Sequence, residues 1–108
     1  MASGLRPLMR CLKNWAFNLR NPIHSGQFKR DVKAAKKRGK DIGKLRVLLM
    51  LPIEGKPLPP EYLDHPLKGG WKGYRDSHIE PDWLLIYRVT DDDLHLVRTG
   101  THADIFST

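Results

Sequence analysis

The chain contains one cysteine, Cys11. No internal disulfide can form, which suits a reducing cytosol. No apolar run approaches the ~20 residues that span a bilayer. No apolar stretch ends in a small-residue cleavage site, so secretion is not expected and a cytoplasmic location is. The sequence holds no H-x-x-x-H and no C-x-x-C, which argues against a zinc site. It also has no G-x-S-x-G nucleophile elbow and no G-x-x-x-x-G-K-[ST] phosphate loop. Neither a metal nor a cofactor is expected. From Met1 to Arg30 there is no acidic residue at all.

What is there is positive charge. Across 108 residues, 19 Lys and Arg face 12 Asp and Glu, a net charge of +7. That excess on so small a body favours polyanions, chiefly nucleic acid, or an acidic protein partner. The length fits one domain with a modest core, so any active site must be shallow or lie along a sheet edge.

Residues 1–24 read as a basic N-terminal extension. Leu5, Leu8, Met9, Leu12, Trp15, Ala16 and Leu19 recur at helical spacing, with Arg6, Arg10, Lys13 and Arg20 off that stripe. An extra packed helix, a membrane-surface helix, an organellar transit peptide and an upstream-start artefact with Met9 as the true start all fit. The first and last are favoured. Pro7 and Pro22 limit any helix there.

Residues 25–108 read as the folded domain. Ser25 can cap a helix carrying Phe28, Val32 and Ala35 inward and Lys29, Arg30, Lys33, Lys36, Lys37 and Arg38 outward, with Gly39 as its C-cap. Asp41 can cap a second helix with Ile42, Leu45, Leu48 and Leu49, which Pro52 should stop. The two form an αα-hairpin. Glu54 to Pro60 is a loop. Lys72–Ile79, Trp83–Val89 and Leu94–Thr101 read as three strands of an antiparallel meander, with a short further strand around Leu19–His24. The expected fold is α+β: two N-terminal helices on a twisted antiparallel sheet of three to four strands.

Alternation places Trp83, Leu85, Tyr87 and Val89 on one face of the middle strand and Leu84, Ile86 and Arg88 on the other. Tyr74, Asp76 and His78 share one side of their strand, and Leu94, Leu96, Arg98 and Gly100 one side of theirs. An arginine ending an apolar face is either ion-paired with a carboxylate or placed for a phosphate. His65, His78, His95 and His102 cluster in the C-terminal half, and histidine is the side chain best suited to proton transfer near neutrality. On a straight strand Arg98 and His102 would lie about 13 Å apart. A bend at Gly100 could swing His102 back. Trp71, Tyr74 and Tyr87 read as core or edge aromatics, and His95 as a surface residue.

Several segments carry a family resemblance: Ser25–Lys33, Leu63–Leu67, Trp71–Asp76, His78–Tyr87, Arg98–Ala103 and Phe106. On these the chain resembles the YafQ-type mRNA interferase toxins of the RelE/ParE superfamily. The resemblance implies a RelE-like fold and a ribosome-dependent mRNA endonuclease, the toxin of a type II toxin–antitoxin pair. It implies metal-independent cutting of mRNA by attack of the 2′-hydroxyl, in the A site of the small ribosomal subunit. A cognate antitoxin would hold the toxin inactive, and operator DNA would be met only through that complex. The matching site positions are His65, His78, Asp82, Trp83, Arg98, His102 and Phe106. By resemblance His102 is the general acid, Arg98 the phosphate clamp, and Asp82 with His65 or His78 the base. Phe106 is a candidate base-stacking ring, Trp83 fits base stacking or the core equally, and Lys29, Lys33, Lys36 and Lys37 are candidate RNA contacts. Two other functions remain in play, a gyrase-directed toxin of the related fold and a non-catalytic basic module that binds RNA or a partner.

Overall fold

The computed structural model describes residues 19–106. The four readings of the N-terminal helix pattern fall on residues 1–18, outside the described residues, except for its last members Leu19 and Arg20, which are not helical. The described chain runs through β1 (Asn21–His24), α1 (Gly26–Lys37), α2 (Ile42–Ile53), β2 (His65–Pro66), β3 (Arg75–Glu80), β4 (Trp83–Val89), β5 (Asp93–Gly100) and α3 (His102–Phe106). Short 3-10 turns occupy Pro60–Tyr62 and Gly69–Trp71.

Helix α1 starts where the Ser25 hydroxyl oxygen accepts the Phe28 N–H at 2.9 Å. The same hydroxyl donates to the Val97 carbonyl at 2.8 Å, which fixes the helix start on β5. Phe28 and Ala35 are buried, while Lys29, Lys33, Lys36 and Lys37 lie toward solvent. The helix closes with Gly39 N–H on the Lys36 carbonyl and Lys40 N–H on that of Ala35, each at 3.0 Å. Asp41 caps α2 by accepting the Gly43 N–H at 2.9 Å.

The stop expected at Pro52 needs correction, because Pro52 lies inside α2. Pro52 forfeits the hydrogen bond to the carbonyl four residues back, and the helix runs only one residue beyond it, to Ile53. The chain leaves the helix at Gly55 instead, at φ 75°, a conformation that disfavours residues with a Cβ. There Gly55 N–H bonds the Pro52 carbonyl at 3.1 Å and Lys56 N–H that of Leu51 at 2.9 Å. Arg20 secures the same end: its Nη1 donates to the Pro52 carbonyl at 2.8 Å and its backbone N–H to that of Ile53 at 2.7 Å.

Among the described residues the sheet has five strands, in the order β1-β5-β4-β3-β2. The meander of β3, β4 and β5 is antiparallel as expected. The expectation of a wholly antiparallel sheet of three to four strands is corrected, because β1 runs parallel to β5. Alternation reveals which residues share a face and is silent on strand direction. Asn21–His24, assigned to the extension on sequence, is thus an edge strand of the sheet, where Pro22 is tolerated. Two-residue β2 pairs with β3 through His65 and Pro66. The first meander strand begins at Arg75 rather than Lys72, since a 3-10 turn and a tight turn at Gly73 precede it.

One face of the sheet packs under the helices, burying Trp83, Leu85, Tyr87, Leu94 and Leu96 against Phe28, Ala35, Leu45 and Leu48. The other face buries Leu84 and Ile86 with Ile105 of α3, ringed by Leu67, Trp71, Tyr74, Val97 and Phe106. Among the described residues no helix is long and apolar enough to cross a membrane. Arg20→Ala should remove the side-chain hydrogen bonds to the Pro52 and Thr90 carbonyls and lower stability by about 1–3 kcal/mol. A urea midpoint equal to that of the wild type would show that Arg20 does not secure α2.

Candidate active site

The turn out of β5 places the first histidine. Thr101 N–H donates to Asp104 Oδ2 and Asp104 N–H to Thr101 Oγ1, both at 3.1 Å. This reciprocal capping box starts α3 one residue after the strand ends. The Asp104 side chain leaves little room there: a Cβ on Gly100 would lie 3.0 Å from both its Cβ and its Oδ2. Arg38, at the end of α1, donates to Asp104 at 2.6 Å. That hydrogen bond, with the backbone N–H of Thr101 next, lowers the Asp104 carboxyl to about 2. His102 is therefore the first residue of a short, anchored helix. The chain passes from strand to helix directly after Gly100.

Asp82, in the β3–β4 hairpin turn, faces it. Its Oδ1 accepts the His102 backbone N–H at 3.2 Å and lies 3.3 Å from His102 Nδ1. The backbone bond first, and the ring contact second, hold Asp82 below the usual carboxylate range. The His102 ring is 5.9 Å from that of His78 and 6.0 Å from that of Phe106. Four of the residues singled out on sequence thus form one contiguous group.

His65 approaches from β2. Its Nδ1 meets the Leu63 carbonyl at 2.8 Å, so Nδ1 is the donor and Nε2 faces Asp76 Oδ2, 3.7 Å away. Asp76 is 3% exposed. Burial raises its carboxyl, opposed by the charges of His78, His65 and His102. Three histidines thus lie near enough to act on one buried carboxylate, and His65 is in contact with it. Its Oδ1, and Nδ1 of His78, have no hydrogen-bond partner among the described residues.

The loop that carries His65 is clamped by Asp64. It accepts from Arg75 at 2.6 Å, from Ser77 at 2.8 Å and from the Tyr87 hydroxyl. Burial opposes charge on Asp64, yet these hydrogen bonds outweigh it and keep the carboxyl below its ordinary value. Burial, then the bond to Asp64, pushes Tyr87 up to about 12. Asp64 and Asp104 were not singled out on sequence, since nothing local marks an aspartate that gathers partners distant in the chain. Asp76 was legible only as a neighbour of His78 on its strand face.

Two expectations change. Trp83, offered as a stacking ring, is 1% exposed and donates to Thr99 Oγ1 at 2.9 Å. It is a core residue and cannot offer a face to RNA without unfolding. Arg98 does not share a simple face with Leu96. A register shift pairs Ile86 with Arg98 and Tyr87 with Leu96, leaving Val97 extra. Arg98 is ion-paired, with Nε 2.8 Å from Asp31 Oδ2, and its Nη2 reaches the Asp104 carbonyl at 3.5 Å. Nη1 has no hydrogen bond among the described residues. Asp31 also takes the Thr99 N–H at 3.2 Å. The polar partners of Arg98 are thus aspartates and not the histidines. Lys29, Lys33, Lys36 and Lys37 line α1, on the helical side of the sheet and away from the histidine group.

This arrangement can be set beside known proteins. The family described as "Bacterial toxin of type II toxin-antitoxin system, YafQ" matches residues 20–107. The chain belongs to the YafQ family of toxins. It is 58% identical over 84 residues to "mRNA interferase toxin YafQ" of Escherichia coli (strain K12), covering 77% of this chain and 91% of the relative. It superposes on the crystal structure of YafQ from E. coli BL21(DE3) with a TM-score of 0.77 at 56% identity, covering 81% of this chain and 98% of that one. A structure of the E. coli DinJ–YafQ toxin–antitoxin complex matches with a TM-score of 0.76 at 56% identity, covering 82% of this chain and 98% of that one. The α+β fold agrees with these neighbours.

Gly100→Val should push α3 off its anchor and cut activity at least tenfold, about 1.4 kcal/mol of barrier, with the sheet still folded by circular dichroism. Full activity would separate His102 placement from Gly100. Asp104 also makes stability depend on pH. Its carboxyl lies at about 2 when folded against a usual 3.8. The pairing therefore stabilises fully above about pH 4 and is lost as pH falls through 2. Thermal midpoints of wild type and Asp104→Asn should differ most above pH 4 and converge toward pH 2. A pH-independent difference would exclude this carboxylate as the source.

Proposed function

We propose that this family member is an mRNA interferase that cuts mRNA in the ribosomal A site and so blocks translation. The observation that carries the reading is the contact chain His78–His102–Phe106, with Asp82 bonded to His102. Cleavage of RNA by its own 2′-hydroxyl needs one group to take a proton and another to give one. The 2′-oxygen attacks the adjacent phosphorus, and the bond from phosphorus to the 5′-oxygen breaks. A base removes the 2′-hydroxyl proton, and an acid protonates the leaving 5′-oxygen. The products are a 2′,3′-cyclic phosphate and a 5′-hydroxyl.

In this scheme His102 is the acid. Asp82 holds its Nδ1 side and leaves Nε2 for the 5′-oxygen. His78 or His65 receives the 2′-hydroxyl proton, with Asp76 supplying negative charge between them. Phe106 stacks on a base beside the cut, a contact worth ~1–3 kcal/mol. Arg98 offers Nη1 to phosphate while Asp31 orients the rest of its fork. The proton transfers fall to side chains, without a metal. Lys29, Lys33, Lys36 and Lys37 follow ribosomal RNA phosphates from the exposed side of α1. A cognate antitoxin holds the cytoplasmic toxin inactive, as DinJ pairs with the E. coli relative, and operator DNA is met only through that complex.

Primer extension on a defined mRNA in a reconstituted bacterial translation system tests the reading. Wild type should give codon-phased cuts only with ribosomes, and His102→Ala should lose them by at least a hundredfold, within the range of a missing general acid. Intact mRNA with wild type would reject the endonuclease reading and leave gyrase or simple binding to test by DNA supercoiling. Replacing Lys29, Lys33 and Lys36 by alanine should weaken ribosome binding and flatten its dependence on salt. An unchanged salt slope would remove α1 from the ribosome interface.

A further inference from the structure

The ring contacts do not stop at Phe106. Phe106 meets Trp71 edge-on with centroids 6.1 Å apart. Trp71 meets Tyr74 edge-on at 5.7 Å. The guanidinium of Arg88 lies 5.9 Å over the Tyr74 ring. Together with His78 and His102 this makes one unbroken row across the sheet face opposite α1 and α2.

Trp71, Tyr74 and Phe106 are half-buried, and Arg88 is exposed. Their inner surfaces close over the cluster of Leu84, Ile86 and Ile105. Packing alone would be served by aliphatic side chains there. An edge-to-face contact takes at most one face of each ring, so partly exposed rings keep surface for a further partner. The row begins at the histidines and ends in an exposed cation, and the chain carries +7. Ring surfaces beside a positive charge are the chemistry that binds single-stranded RNA.

We propose that Trp71, Tyr74 and Arg88 bind the nucleotides adjoining the one that is cut, with the bases against the two rings and a phosphate at Arg88. This rests on the endonuclease reading and extends the site beyond Phe106. The row would set which neighbouring bases are held well, and hence favour some sequence contexts through stacking strength.

The test compares wild type, Trp71→Leu, Trp71→Phe and Arg88→Ala in the same translation system, with ribosomes stalled on one mRNA as the varied substrate. Trp71→Leu should raise KM about fivefold or more, the factor matching ~1 kcal/mol, with kcat changed less than about twofold. Trp71→Phe should restore KM, which a loss of packing volume alone would not predict. Arg88 is exposed, so Arg88→Ala keeps the core intact and should raise KM in a salt-dependent manner. A short oligoribonucleotide blocked by 2′-O-methyl groups should bind wild type more tightly than Trp71→Leu by fluorescence anisotropy.

Cleavage by all variants with one KM would overturn the row while leaving the endonuclease reading standing. No cleavage by wild type would reject the endonuclease reading, and the oligonucleotide would then decide the row alone, with equal binding overturning it. Unchanged KM with weakened neutralisation by the antitoxin would assign the rings to a protein interface and likewise overturn the proposal.

Discussion

Asp104 accepts the N–H of Thr101 and the guanidinium of Arg38 at the same time. That double use joins the end of α1, the end of β5 and the start of α3. Without it α3 would be a five-residue helix attached by one strand, too short to persist alone. With it His102 has a fixed backbone, and Asp82 can bond that backbone and the ring together. Phe106 follows one turn later on the same short helix. The proposed acid is therefore held by a carboxylate outside the proposed chemistry, on a sheet whose opposite face is sealed by helices.

A second carboxylate does the same work at the other side of the site. Asp64 gathers Arg75, Ser77 and Tyr87 and so fastens a loop rich in proline and glycine to β3 and β4. His65 is brought beside Asp76 as a result. Asp31 is the third case, orienting Arg98. In each instance an anion oriented by several donors is stabilised by hydrogen bonds made before substrate arrives, so little rearrangement is left for the moment of binding.

How far the sequence spoke depended on the range of the interaction. Ser25, Asp41 and the spacing of Phe28, Leu45 and Leu48 are local signals, and both helices follow from them. Strand β4 was legible residue by residue because both its faces are apolar and its ends are turns. The parallel pairing of β1 was not, since it depends on where α1 and α2 carry the chain. The helix end at Gly55 is masked in sequence by Pro52, which is the louder breaker. His65, His78, Asp82, His102 and Phe106 were named through resemblance. Their partners Asp76, Asp104 and Asp64 carry no local signal, because aspartates that serve as hubs have no periodicity. Trp83 was open on sequence, since a tryptophan at the start of an apolar strand fits a core or a binding surface equally.

The two outer strands of the sheet share a trait. Strand β1 is four residues long and holds Pro22, and β2 is two residues long and holds Pro66. Each edge thus presents few backbone groups, with one N–H missing from each. A sheet bounded in this way is a poor template for another strand, whether from a second copy or from an extended peptide. Both edges are thereby blunted against the edge-to-edge pairing that exposed β-structure invites.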